Sequence, residues 1–196
     1  MSMTHHKSNQ SGFALLLTIL VVSVVVSITV TIIELSLKQV SLAVTARDSE
    51  IAFHAANAGM ECARYMSRIA SSSILSQDNN IRFYCFGLDQ QIGRQNQTLN
   101  VTGGDGDVTR YSGLVTWNTG DRCSSVDMVV MQVDDDATSD MVITNLETIY
   151  PGFPASDNKD CTAGSRCIVA EVTGYNRPCN AIAQAGTVRR EILLEF

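Results

Sequence analysis

Residues 13–33 read FALLLTILVVSVVVSITVTII, a run of 21 residues without a single charge. As an α-helix this run would be about 32 Å long, against a bilayer hydrocarbon core of about 30 Å. Its many β-branched residues lower helix propensity in water, but a lone segment in lipid can satisfy its backbone only as a helix. A cleaved secretory signal has an apolar region of about 7–15 residues followed by a small-residue cleavage site. This run is longer and no Ala-x-Ala follows it directly, so it is read as a retained membrane anchor. Lys7 precedes it and no basic cluster follows directly, which places the N-terminus on the cytoplasmic side.

The helical pattern continues past the run. Neither Pro nor Gly occurs between Glu34 and Gly59, and Val40, Val44, Ile51, Ala55, Ala58, Cys62, Met66 and Ile69 recur at spacings of three, four or seven. Ala52, Ala55, Ala56, Ala58 and Gly59 make a small-residue surface suited to close packing, against the chain's own domain or against other chains. The helix is expected to end in Ser71-Ser72-Ser73.

Beyond residue 75, short β-branched or apolar runs alternate with turn residues. Strands are expected at Ile81–Phe86, Gln97–Thr102, Tyr111–Trp117, Asp127–Val133, Met141–Ile149, Arg166–Tyr175 and Thr187–Phe196. Turns are expected at Asn79-Asn80, Gly103–Asp107, Asn118–Asp121 and Pro151-Gly152. In the last run Val188, Arg190, Ile192, Leu194 and Phe196 alternate with Arg189, Glu191, Leu193 and Glu195, so one face can pack inward. The fold class expected is α+β: a long N-terminal helix, membrane-spanning in its first half, packed on an antiparallel β-sheet.

Six cysteines lie at positions 62, 85, 123, 161, 167 and 179, all beyond the apolar run and none in a CxxC pair. Zinc sites need tighter spacing, usually with histidine, and His54 is the one histidine outside the N-terminal tail, so no metal is assigned. The six are read as disulfides in an oxidising compartment. Fifteen pairings are possible. The one favoured is Cys62–Cys85, tying the helix end to the first strand, Cys161–Cys167, closing a short loop, and Cys123–Cys179, joining two strand ends. A formal net charge of −6 gives no chain-wide reason to bind nucleic acid.

The start of the chain carries a family resemblance. Gly12-Phe13, where a short weakly basic leader meets the apolar run in SGFALLLTIL, resembles the processing site of type IV prepilins and type II secretion pseudopilins. In that family a prepilin peptidase cuts after the glycine and methylates the new N-terminus. The resemblance covers about residues 7–70 through motif and helix and is architectural beyond. It implies a leader over 1–12, a transmembrane segment over 13–33, an amphipathic helix over 34–73 and an extracytoplasmic disulfide-containing β-rich domain over 74–196. The partners it implies are other pilin-like subunits through the N-terminal helix, the prepilin peptidase, an inner-membrane assembly platform and membrane lipid. The location it implies is the inner membrane, then a periplasmic or extracellular filament of pilus or secretion type.

One departure is Leu17, the fifth residue after the cut, where the family usually carries a glutamate thought to meet the N-terminal amine of a neighbouring subunit. A carboxylate in hydrocarbon needs a partner, and Glu34 lies too far along to replace it. Leu17 resembles the minor subunits that lack this acid, some of which sit at a filament tip or prime assembly. The competing expectation is a stand-alone membrane-anchored ligand-binding or adhesion domain that does not polymerise; the two differ at Gly12-Phe13.

Enzymatic patterns are not found. The sequence has no Gly-x-Ser-x-Gly, HExxH, P-loop or GxGxxG, no catalytic residues are assigned, and no cofactor is expected. Asp134, Asp136, Thr138 and Asp140 alternate like the opening of a calcium loop, but Ser139 holds the glycine position and Asn145 the twelfth place. A solvated acidic turn is the expectation there. Asn96-Gln97-Thr98 and Asn100-Val101-Thr102 match glycosylation sequons. Tyr111, Trp117 and Tyr150 are candidates for an adhesive surface or, more simply, for the core.

Overall fold

The structure, a computed structural model, describes residues 11–69, 73–74, 76–96, 99–154 and 158–196. Among the described residues a long helix, α1 (Ser11–Ile69), is followed by nine strands. The strands are β1 (Asn80–Cys85), β2 (Leu88–Gln95), β3 (Val101–Gly103), β4 (Gly106–Trp117), β5 (Arg122–Val133), β6 (Met141–Ile143), β7 (Lys159–Cys161), β8 (Arg166–Tyr175) and β9 (Arg189–Glu195). The chain divides into two compact units, 1–46 and 47–196, so the boundary falls inside α1. The first unit is the helix from Ser11 to Ala46, apolar and long enough to cross a membrane.

The second unit is an α+β domain. Its main sheet has six strands in the order β1-β2-β4-β5-β8-β9, with every neighbouring pair antiparallel. Residues 47–69 of α1 cover one face. Their buried side is Ala52, Ala55, Ala56, Gly59, Met60, Cys62, Ala63, Met66 and Ser67, against Val126, Met128, Ile168, Ala170 and Val172 of the central strands. The other face of β5 and β8, bearing Val129, Met131, Val133 and Val169, is covered by the smaller sheet β3-β6-β7 and by Leu146, Tyr150 and Phe153. Because side chains alternate along a strand, β5 fills both cores, and its near-continuous apolar run follows from that.

The helix face differs from the one its apolar periodicity suggested. Ile69 is 49% exposed and Ile51 and Ala58 sit at the margin, because the helix is turned toward its smaller residues. Close approach explains the turn. A Cβ on Gly174 of β8 would collide with Ala52 O, Ala56 N and Ala55 C, and one on Gly59 would lie 2.7 Å from Ser124 Cβ and Val172 Cγ1. The buried Ser124 hydroxyl donates to Ala55 O, filling the space a larger residue would need. Ala52, Ala55, Ala56 and Gly59 therefore pack on the chain's own sheet.

Several strand boundaries depart from the sequence reading. β2 was not expected: LDQQIGRQ has two apolar residues in eight, and it follows a two-residue turn in which Phe86 and Gly87 both take left-handed φ, 54° and 76°. Gln90 compensates for the polarity. Only 3% exposed, it donates from Nε2 to Thr116 O and accepts from Thr116 N, standing in for backbone pairing where β2 leaves β4. The expected strand Met141–Ile149 stops at Ile143, because Asn145 accepts from Asn100 N through its side chain and from Thr148 through its carbonyl, opening a 3₁₀ turn at Leu146–Thr148. The strand expected at Gln97–Thr102 is β3, Val101–Gly103, and 97–98 lie outside the described residues. α1 as described runs to Ile69; its end was expected in Ser71-Ser72-Ser73, of which 71 and 72 lie outside the described residues.

Candidate functional site

Gly12 and Phe13 lie in the first turn of α1; residues 1–10 are outside the described residues. Phe13 is 73% exposed, and a Cβ added at Gly12 would meet nothing within 4 Å. A glycine inside a helix costs about 1 kcal/mol relative to alanine. Among the described residues neither packing nor a left-handed φ calls for Gly12. Leu17, one turn further, is exposed like the rest of the run.

The five hydroxyls between Phe13 and Ile33 need no water. Thr18, Ser23 and Thr31 donate to the carbonyls of Leu15, Leu20 and Ile28, and Ser27 and Thr29 to those of Ser23 and Val25. With its polar side chains bonded back to its own backbone, the run suits hydrocarbon on every side.

Past this run, from Glu34 to Ala46, the helix keeps large apolar residues outside the length that a bilayer core can cover. Leu35, Leu37, Val40, Leu42 and Val44 are 54–70% exposed. At about 100° per residue, Leu37, Val40 and Val44 share one face and Leu35 and Leu42 lie nearly opposite. Glu34, Lys38, Ser41 and Thr45 fall between them.

No family model, no curated protein and no solved structure matches the chain. Its chemistry is read from the residues alone.

The domain holds three disulfides: Cys62–Cys85 joins α1 to the end of β1, Cys123–Cys179 joins β5 to the turn after β8, and Cys161–Cys167 joins β7 to β8. A polar cluster that sequence reasoning missed lies between the two layers. Arg110 of β4 makes a bidentate pair with Asp127 of β5, Nε to Oδ1 at 2.7 Å and a terminal nitrogen to Oδ2 at 2.6 Å. The fully buried Tyr150 donates its hydroxyl to Asp127 Oδ1 at 3.1 Å. The hydrogen bond to Asp127 holds the Arg110 guanidinium more firmly protonated than usual, and burial pushes the Tyr150 phenol well above its ordinary range. Both donors thus keep their protons, and through Tyr150 the cluster seats the 146–153 segment on the sheet.

The remaining candidates are dispersed. His54 is exposed, 3.8 Å from Glu50 on the same helix. Asp134, Asp136, Thr138 and Asp140 are exposed, and Asp140 Oδ1 accepts from Ala163 N. Among the described residues no three His, Cys, Asp or Glu side chains gather into a metal-sized group. Tyr111 and Tyr150 are core residues; Trp117 is half-buried beside the exposed ring of Phe86, centroids 6.4 Å apart.

Proposed function

We propose that the chain is a minor pilin-like subunit, cut after Gly12 and built into a type IV pilus-like or secretion filament through its N-terminal helix. The observation that carries this reading is the segment Leu35–Val44. Val44 lies 11 residues past Ile33, about 16 Å along a helix, so lipid tails do not reach it. Its apolar residues occupy two opposed faces, and a helix apolar on two sides needs cover on two sides. A stand-alone anchor has no use for either face. Helices of neighbouring subunits cover both.

Gly12 supports the same reading, since a peptidase that requires a small residue accounts for a glycine the fold does not need. Leu17 supports a minor role. Without the carboxylate the subunit offers nothing to a neighbour's N-terminal amine, which suits a position at the tip or at initiation. In this reading the N-terminus begins in the cytoplasm and the disulfide-containing domain lies outside it, where disulfides persist.

Intact-mass measurement of the chain purified from its native membrane tests the proposal. The expected species begins at Phe13 and carries one added methyl group. A mature chain that retains residues 1–12 would refute it and leave the anchored, non-polymerising domain.

A further inference from the structure

On the sheet face away from α1, Asp127 of β5 stands directly opposite Glu171 of β8. Like charges in such a cross-strand position destabilise a sheet unless something neutralises them. The cations nearby are already engaged. Arg110 of β4 is bound through two nitrogens to Asp127, and Arg189 of β9 lies 3.4 Å from Glu191 of the same strand. Glu191 sits diagonally across from Glu171, since Glu171 pairs with Leu193 and Thr173 with Glu191. The loop side contributes Tyr150, whose hydroxyl is committed to Asp127. Three carboxylates therefore share two guanidinium groups, and among the described residues no hydrogen bond or ion pair reaches Glu171.

We propose that Glu171 is a proton-linked element of the domain: with Asp127 directly opposite and Glu191 on the diagonal, its charge weakens the packing of β5, β8 and β9 as the pH rises. Burial is the main cause, with Glu191 and then Asp127 adding to it, while Arg110 and Arg189 oppose; together they raise the Glu171 carboxyl above its ordinary range. The sign follows from linkage. A group that binds its proton more tightly when folded stabilises the fold fully below its unfolded value, and loses that contribution as pH climbs through its folded value. The inference does not depend on the filament reading, because it concerns the domain alone.

Thermal unfolding of the full chain in detergent tests it, followed by the fluorescence of Trp117, the only tryptophan. The wild type and Glu171→Gln are compared from about pH 4.5 to about pH 8, bracketing the range above an ordinary glutamate. The variant is expected to match the wild type at the acid end and to melt higher at the alkaline end, since glutamine mimics the neutral acid. Subtracting the two curves removes the contribution of the other titrating groups. Glu191→Gln should shrink the same difference by removing the like charge that acts most strongly on Glu171. A difference independent of pH, a Glu171→Gln variant that melts lower at about pH 8, or one that fails to fold would each overturn the proposal.

Discussion

Replacing Gly174 with alanine tests how the helix is seated. The new Cβ would point into the backbone of α1, at Ala52 O, Ala56 N and Ala55 C, none of which can swing aside as a side-chain tip would. The helix must lift from β8, and overpacking of this kind costs about 1–3 kcal/mol. Lifting also separates Ser124 from Ala55 O, and leaving that fully buried hydroxyl unpaired adds about 1–3 kcal/mol. Alanine returns about 0.4–1 kcal/mol by restricting the unfolded chain. The net is about 3 kcal/mol, or a fall in melting temperature of about 6–12 °C for a domain of this size. Two controls sharpen the test. At Gly152 a Cβ meets nothing within 4 Å, so Gly152→Ala should be neutral or slightly stabilising. At Gly59 the obstructions are side chains, Ser124 Cβ and Val172 Cγ1, and alanine is the better helix former, so Gly59→Ala should cost less than Gly174→Ala. Urea unfolding of the full chain in detergent, read by Trp117 fluorescence, measures all three. A Gly174→Ala variant within about 0.5 kcal/mol of wild type, the range of ordinary surface changes, would refute the close-packing argument.

Other outcomes follow from the same structure. Removing the Cys123–Cys179 bridge, which closes a separation of 56, should cost about 4 kcal/mol in the loop-entropy model, against about 2 kcal/mol for Cys161–Cys167 with a separation of 6; paired Cys→Ser unfolding curves decide whether that order holds. Tyr150→Phe should lose about 1 kcal/mol, the worth of one hydrogen bond, and Asp127→Asn more, because it leaves Arg110 unpaired between the layers; equal losses in equilibrium unfolding would contradict the cluster as described. Leu17→Glu should yield no additional filament, since in the proposed role no neighbour's amine meets the acid; mass spectrometry of sheared filaments showing enrichment of the variant would reject that role. Photo-crosslinkers placed singly at Leu42 and at Val40 should each capture another polypeptide if both faces of the segment are covered, and capture from one face only would leave the two-sided argument without support.

The parts of this fold legible in the sequence are those where a single pattern runs long. The apolar run dictates a helix because lipid leaves no alternative, and β4, β5 and β8 each contain six or more residues of apolar or β-branched sequence between turn signals. β2 is hidden because its stability resides in Gln90, whose carboxamide replaces backbone partners that local sequence does not reveal. β7, three residues reading KDC, carries no pattern at all and exists because β6 lies beside it. The buried side of α1 was legible in part: Ala55, Cys62 and Met66 of the periodic set are buried, whereas Ile51, Ala58 and Ile69 are not. Periodicity favours the large residues, whereas Gly174 and Ser124 on distant strands reward the small ones. The Arg110–Asp127–Tyr150 cluster joins residues 17 and 23 positions apart, and strand register together with the 3₁₀ turn brings them together. Gly12-Phe13 is the reverse case: sequence singles it out, and the structure adds that packing makes no demand there.

The way α1 is fastened has a mechanical consequence. Arg190 of β9 reaches Ser49, Gly174 of β8 meets Ala52 and Ala56, Ser124 of β5 holds Ala55, and the Cys62–Cys85 bond ties the helix to β1. The attachments thus include the two outermost strands of the six-stranded sheet and two of its central ones. Tension along the helix is therefore distributed over the whole sheet and does not peel it from one edge. At the β1 end the last restraint is covalent, so the weaker contacts can yield under load while the helix remains attached. Reduction of Cys62–Cys85 would turn a tether that resists pulling into a contact that slides.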